Sequence, residues 1–65
     1  MPDDAREEEL RRLRHDLRTP LTIVAGFAEV LAADREISQA DRREFATRIQ
    51  DAAVEIRKLI DEALE

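Results

Sequence analysis

Cysteine, tryptophan and tyrosine are absent from the 65 residues, and glycine and histidine occur once each. Without cysteine no disulfide can staple the chain, and a single histidine cannot furnish a closed zinc site of nitrogen and sulfur ligands. The lack of cysteine suits a reducing compartment. Aromatics are limited to Phe27 and Phe45, and proline to Pro2 and Pro20. No apolar run approaches the length that spans a bilayer, and no basic start followed by an apolar block marks a signal peptide. Strand-like alternation never persists. A basic excess is also missing: the net charge is −5 and the pI about 4.8. That balance argues against nucleic acid or an anionic membrane surface as a direct partner.

What is present is helix-forming. Leu, Ala, Glu and Arg dominate, and 42% of residues are charged, which points to an all-α chain. From Leu10 the apolar positions Leu10, Leu13, Leu17, Val24, Phe27 and Leu31 follow a 3-4 repeat, with Pro20 in one slot. Leu21 and Ala28 form an adjacent row, and Ile23 and Val30 widen the stripe. An apolar face this broad belongs to a helix that touches two neighbours, as in a four-helix bundle. The expected helix 1 runs over about 4–32, with Asp3 or Asp4 as a cap and Glu7, Glu8 and Glu9 near the positive end of its dipole.

Periodicity lapses over about 33–38, which reads as a connection. Ser38 followed by Asp41 resembles a capping box, with Asp in the place where Glu or Gln is usual. The second helix, about 39–64, carries Phe45, Ile49, Ala52, Ile56, Leu59 and Ala63 on a 4-3-4-3 repeat, broadened by Ala53, Ile60 and Leu64. Each helix is roughly 40 Å long at 1.5 Å per residue. The expected unit is a single domain over 1–65, an antiparallel helical hairpin. A chain this short buries too little core alone, and with disulfides and metal excluded a partner chain is the remaining route. Two hairpins pairing into a four-helix bundle, a homodimer, satisfies the stripe width.

The one histidine sits in the chain's one basic patch. Residues 3–9 hold five acids against one arginine, whereas 10–18 hold Arg11, Arg12, Arg14 and Arg18 against Asp16 alone. With Leu10 at heptad position a, His15 falls at f, farthest from the seam. A packing histidine would lie on the stripe, so this one should face solvent. The lone pair of a neutral imidazole can attack phosphorus. Arg11, Arg12, Arg18 and Thr19 are its helix-surface neighbours, and guanidinium groups suit phosphoryl oxygens. Thr19, four residues on, shares the face of His15, whereas Asp16 points about 100° away and meets the imidazole only in a suitable rotamer. From composition and spacing alone His15 also reads as an ordinary residue of a solvated face. Asp16 also reads as a charge paired with Arg12, and Thr19 as the cap of a helix starting at Pro20.

The stretch His15-Asp16-Leu17-Arg18-Thr19-Pro20-Leu21, followed by Thr22-Ile23-Val24-Ala25-Gly26-Phe27, closely resembles the H-box of sensor histidine kinases. The resemblance is to their dimerisation and histidine-phosphotransfer domain and extends over roughly residues 5–64, outside the H-box by pattern rather than identity. It implies that His15 is the phosphoacceptor. By the same resemblance Asp16 assists proton removal as the imidazole attacks ATP, and Thr19 places water for dephosphorylating a partner. It implies a continuous helix kinked at Pro20, which lacks the N–H to bond the Asp16 carbonyl. Thr22, Ile23, Gly26, Phe27 and Val30, with the start of helix 2, become the docking surface for the receiver domain of a response regulator. Bundle core is the plain alternative for these residues, above all Phe27. Gly26 costs the helix about 1 kcal/mol relative to Ala, a cost that suits close approach by a neighbouring helix or a docked partner.

Two departures stand out. Arg14 occupies the position before the histidine, where many members have a small polar residue. Nothing in the chain resembles the ATP-binding domain, so ATP and Mg²⁺ would act through a separate catalytic domain and the chain alone would not phosphorylate itself. The implied setting is cytoplasmic, as an excerpt of a membrane-bound sensor. A non-catalytic helical dimerisation module and a free-standing phosphotransfer protein are the rival readings.

Overall fold

The computed structural model describes the backbone of residues 2–64 and the side chains of residues 4–64. Two helices account for nearly all of it: α1, Pro2–Ala32, and α2, Gln39–Ala63. They pack on each other as an antiparallel hairpin, and no strand occurs among the described residues. α1 begins with proline at its first position, where the missing N–H has no intrahelical partner to lose. Asp4 therefore lies inside the helix and does not cap it. The backbone of Asp3 is likewise helical, and its side chain lies outside the described residues. α1 runs unbroken through Pro20, so Thr19 is not the cap of a new helix.

The connection reverses the chain without help from glycine, and no described residue has positive φ. Ala33 N–H donates to the Glu29 carbonyl at 3.0 Å and Arg35 N–H to the Ala33 carbonyl at 2.9 Å, closing the end of α1. Ser38 then turns extended, at φ −62° and ψ 154°, and its hydroxyl accepts the Asp41 N–H at 3.0 Å. That bond supplies one of the four N–H groups a helix start leaves without partners. α2 closes at Leu64, whose N–H donates to the Ile60 carbonyl at 3.1 Å.

The Phe27 and Phe45 rings stack with centroids 5.1 Å apart and planes inclined at 27°, which sets the register of the hairpin. Such a pair contributes about 0.5–1.5 kcal/mol beyond its area. One heptad along each helix from this pair come Pro20 and Ala52. One heptad further come Leu13 and Leu59, which line a common hollow at the open end. Val24 with Ile49 and Leu17 with Ile56 fill the layers between. Pro20 and Ala52 are buried and the other seam residues half-buried.

One hairpin leaves much apolar surface open. Leu10 is 53% exposed, Leu21 51%, Ile23 38%, Ile60 37% and Leu64 79%. These are the residues that widen the two stripes, together with the outermost turns. The accessible surface is 5737 Å², about 1,500 Å² more than the roughly 4,200 Å² of a compact monomer of this mass. The Cα radius of gyration is 15.7 Å, against about 11 Å for a compact chain of this length. No helix among the described residues is long and apolar enough to cross a membrane.

Candidate functional site

His15 stands at mid-helix on the outer face of α1, with its side chain 83% exposed. Its neighbours divide into two flanks by helical geometry alone. Arg11 and Arg18 lie to one side, and Arg12, Asp16 and Thr19 to the other, toward α2.

Asp16 reaches back to the imidazole. Its Oδ1 lies 3.4 Å from His15 Nδ1, with the carboxylate side chain 44% exposed. The rotamer thus closes the gap that the angular offset of adjacent residues leaves. The distance is long for a hydrogen bond, and the contact orients the ring more than it binds it. With Nδ1 turned to Asp16, Nε2 is the ring nitrogen left facing outward. Asp16 makes no ion pair with Arg12, although both line a hollow of about 350 Å³ with Glu9, Leu13, Leu59, Glu62 and Ala63.

The arginines are not equivalent. Arg11 pairs with Glu8 at 3.4 Å on the exposed surface, a contact worth little in water. Arg12 is turned to the acidic hollow just described. Arg14 lines a small surface hollow with Glu7, Leu10 and Arg11. Arg12, Arg14 and Arg18 enter no ion pair among the described residues.

The threonines differ in the same way. Thr22 Oγ1 donates to the Arg18 carbonyl at 2.8 Å, and Thr47 Oγ1 to the Arg43 carbonyl at 3.0 Å. Thr19, exposed like them, makes no such backbone bond among the described residues, so its hydroxyl is available to an incoming group. Pro20 follows it, buried on the seam, and carries no N–H for the Asp16 carbonyl.

Further along α1, Thr22, Ile23, Gly26, Phe27 and Val30 line one open hollow of about 260 Å³. The Phe27 ring stacks on Phe45, and the residue also lines this hollow. A Cβ built on Gly26 meets nothing within 4 Å. No close approach within the hairpin therefore requires glycine here. One large apolar residue of the helices escaped both repeats: Val54, 64% exposed on the polar face of α2 beside Arg57, Lys58 and Asp61. Single exposed apolar residues are ordinary. Among the described residues no group of three or more His, Cys, Asp or Glu is placed to hold a metal ion.

A profile of the HisKA family, described as the His Kinase A (phospho-acceptor) domain, matches residues 5–65. The chain belongs to this family, the phosphoacceptor and dimerisation domains of histidine kinases. No curated protein and no solved structure matches it.

Proposed function

We propose that two copies of this chain pair into a four-helix bundle that presents His15 for phosphorylation, and that the phosphoryl group then passes to an aspartate of a response regulator. The observation that carries the reading is the placement of an outward-facing imidazole with a carboxylate at Nδ1, inside the span that matches a phosphoacceptor family.

In the first step the Nε2 lone pair attacks the γ-phosphorus of ATP held by a separate catalytic domain. The N–P bond forms as the bond to the bridging oxygen breaks, and ADP leaves with that electron pair. Positive charge develops on the ring, and Asp16 stabilises it at Nδ1 and can take the proton. Arg18 and Arg11, on the same side of the helix, draw the phosphoryl oxygens by charge-assisted hydrogen bonds; Arg12 supports this from the opposite flank. Mg²⁺ would accompany the nucleotide and offset phosphate charge there. In the second step a carboxylate oxygen of the regulator attacks phosphorus, and the N–P electron pair returns to the imidazole. The receiver domain docks in the hollow of Thr22, Ile23, Gly26, Phe27 and Val30, which brings its aspartate up along the face of Thr19. The free Thr19 hydroxyl can then hold a water for the reverse task, hydrolysis of the aspartyl phosphate.

The open surface of the hairpin supports the dimer. A standard interface buries about 800 Å² per partner, and obligate homodimers bury more. The excess left open by the hairpin is of that order, and it is lined by Leu10, Leu21, Ile60 and Leu64.

The test is a phosphorylation assay with ATP, Mg²⁺ and the separate catalytic domain of a related kinase, comparing the chain with His15→Ala. Acid-labile, base-stable label on the wild type and none on the variant is the expected result. An unlabelled wild type beside a labelled control substrate leaves a helical dimerisation module as the account.

A further inference from the structure

We propose that Ala52 of α2 is a positioning residue for His15: its small side chain seats the Pro20 ring, and the depth of that seat sets how α1 presents His15 and Asp16. The inference rests on the phosphoacceptor role of His15 and adds a residue on the other helix to it.

Proline inside a helix removes one backbone bond and presses its ring toward the carbonyl four residues earlier. Here that carbonyl belongs to Asp16, the residue whose carboxylate lies 3.4 Å from His15 Nδ1. α1 therefore needs lateral room at the turn that carries the chemistry. Pro20 and Ala52 are the buried residues of the hairpin, Ala52 only 5% exposed. The register fixed by Phe27 against Phe45 brings them to one level, a heptad from the stacked rings. Ala52 is also a small residue between Ile49 and Ile56, so at this level the wide ring of one helix faces a short side chain on the other.

The layers on either side of this pair differ. Toward the connection the stacked rings hold the helices together. Toward the open end, Leu13 and Leu59 border a hollow of about 350 Å³ and Leu64 is 79% exposed. The Pro20–Ala52 layer is thus the buried layer nearest His15, and toward the open end the Leu17–Ile56 and Leu13–Leu59 layers are only half-buried, which leaves α1 room to lean. A bulkier residue at 52 pushes the Pro20 turn outward, and the His15–Asp16 contact tilts with it.

The test uses the whole chain with Ala52→Leu, Ala52→Val, Ala52→Ser, Pro20→Ala and the double variant Pro20→Ala/Ala52→Leu. Ala52→Leu should slow His15 phosphorylation at saturating catalytic domain by about tenfold or more, as small misplacements of reacting groups do, with KM for that domain unchanged. Ala52→Val should fall between, and Ala52→Ser, which keeps the size, should match the wild type. Removing the ring in the double variant should restore the Ala52→Leu rate to within about threefold of Pro20→Ala. The ¹⁵N shifts of the His15 ring should move in Ala52→Leu and return in the double variant, a response that loosened packing elsewhere does not produce. A folded Ala52→Leu or Ala52→Val with wild-type rate and unmoved His15 shifts overturns the proposal, as does additivity of the two substitutions. Ring shifts, and a double-mutant cycle of Tm values for Pro20→Ala and Ala52→Leu, need no phosphorylation. Coupling there with no label on the wild type refutes the phosphoacceptor reading while leaving the Pro20–Ala52 seat intact.

Discussion

Gly26→Ala separates what builds the hairpin from what uses it. Glycine inside a helix costs roughly 0.8–1.0 kcal/mol relative to alanine, because the unfolded chain has more freedom to lose. The new methyl at position 26 meets nothing within 4 Å in the hairpin, so no overpacking within it opposes the gain. Each protomer should gain about 1 kcal/mol, and a two-chain bundle about twice that. For a domain of this size 1 kcal/mol raises Tm by about 4–8 °C. The melts must be made at equal protomer concentration, since dimer stability depends on it. The methyl projects into the hollow bordered by Thr22, Phe27 and Val30. His15 phosphorylation should therefore proceed at the wild-type rate while transfer to the regulator slows. A variant that melts lower than the wild type would refute the reasoning, because only a second helix packed against position 26 could reverse the sign. Unchanged transfer kinetics would refute the placement of the regulator in this hollow.

Asp16→Asn keeps the shape but not the charge beside Nδ1, and should lower the rate of His15 phosphorylation by about 10²-fold or more without changing the melt; labelling kinetics check it. Ser38→Ala removes the hydroxyl that accepts the Asp41 N–H and should cost about 1 kcal/mol, read as a lower Tm. Phe45→Ala deletes half of the stacked pair; being half-buried, it should cost about 2–4 kcal/mol, and the loss should show in a denaturant titration. Dilution should lower the Tm of the wild-type chain, and sedimentation should find two copies; a monomer that melts at the same temperature at every concentration refutes the bundle.

The parts of this protein legible in its residues are those fixed by position along a helix. The 3-4 repeats of α1 and α2 announce the hairpin because each residue's angle around the axis follows from its number. The same arithmetic puts His15 opposite the seam, and Ser38 with Asp41 marks the start of α2 because that bond spans only three residues. Asp3 and Asp4 misled as caps, since Pro2 suits the first helical position and takes it. Val54 escaped both repeats because it lies off them. The H-box heptapeptide carried the function, since periodicity alone leaves His15 a surface residue.

The contact of Asp16 with His15 depends on a rotamer, and neighbours in sequence do not dictate it. Why the Thr22 hydroxyl is bonded to the backbone while that of Thr19 is free, and why Arg11 and Arg12 face acids while Arg18 does not, are likewise choices among staggered wells settled by surroundings. The proposed pairing of Pro20 with Ala52 needs the register of α1 on α2, which no local pattern contains. By itself, then, the sequence determined the helices, their apolar faces and the candidate phosphoacceptor, because these follow from backbone geometry and side-chain chemistry. Only the tertiary structure decided which groups meet the imidazole, which apolar residues stay uncovered and which layer lies beneath the active turn, because these depend on how one helix is set against the other.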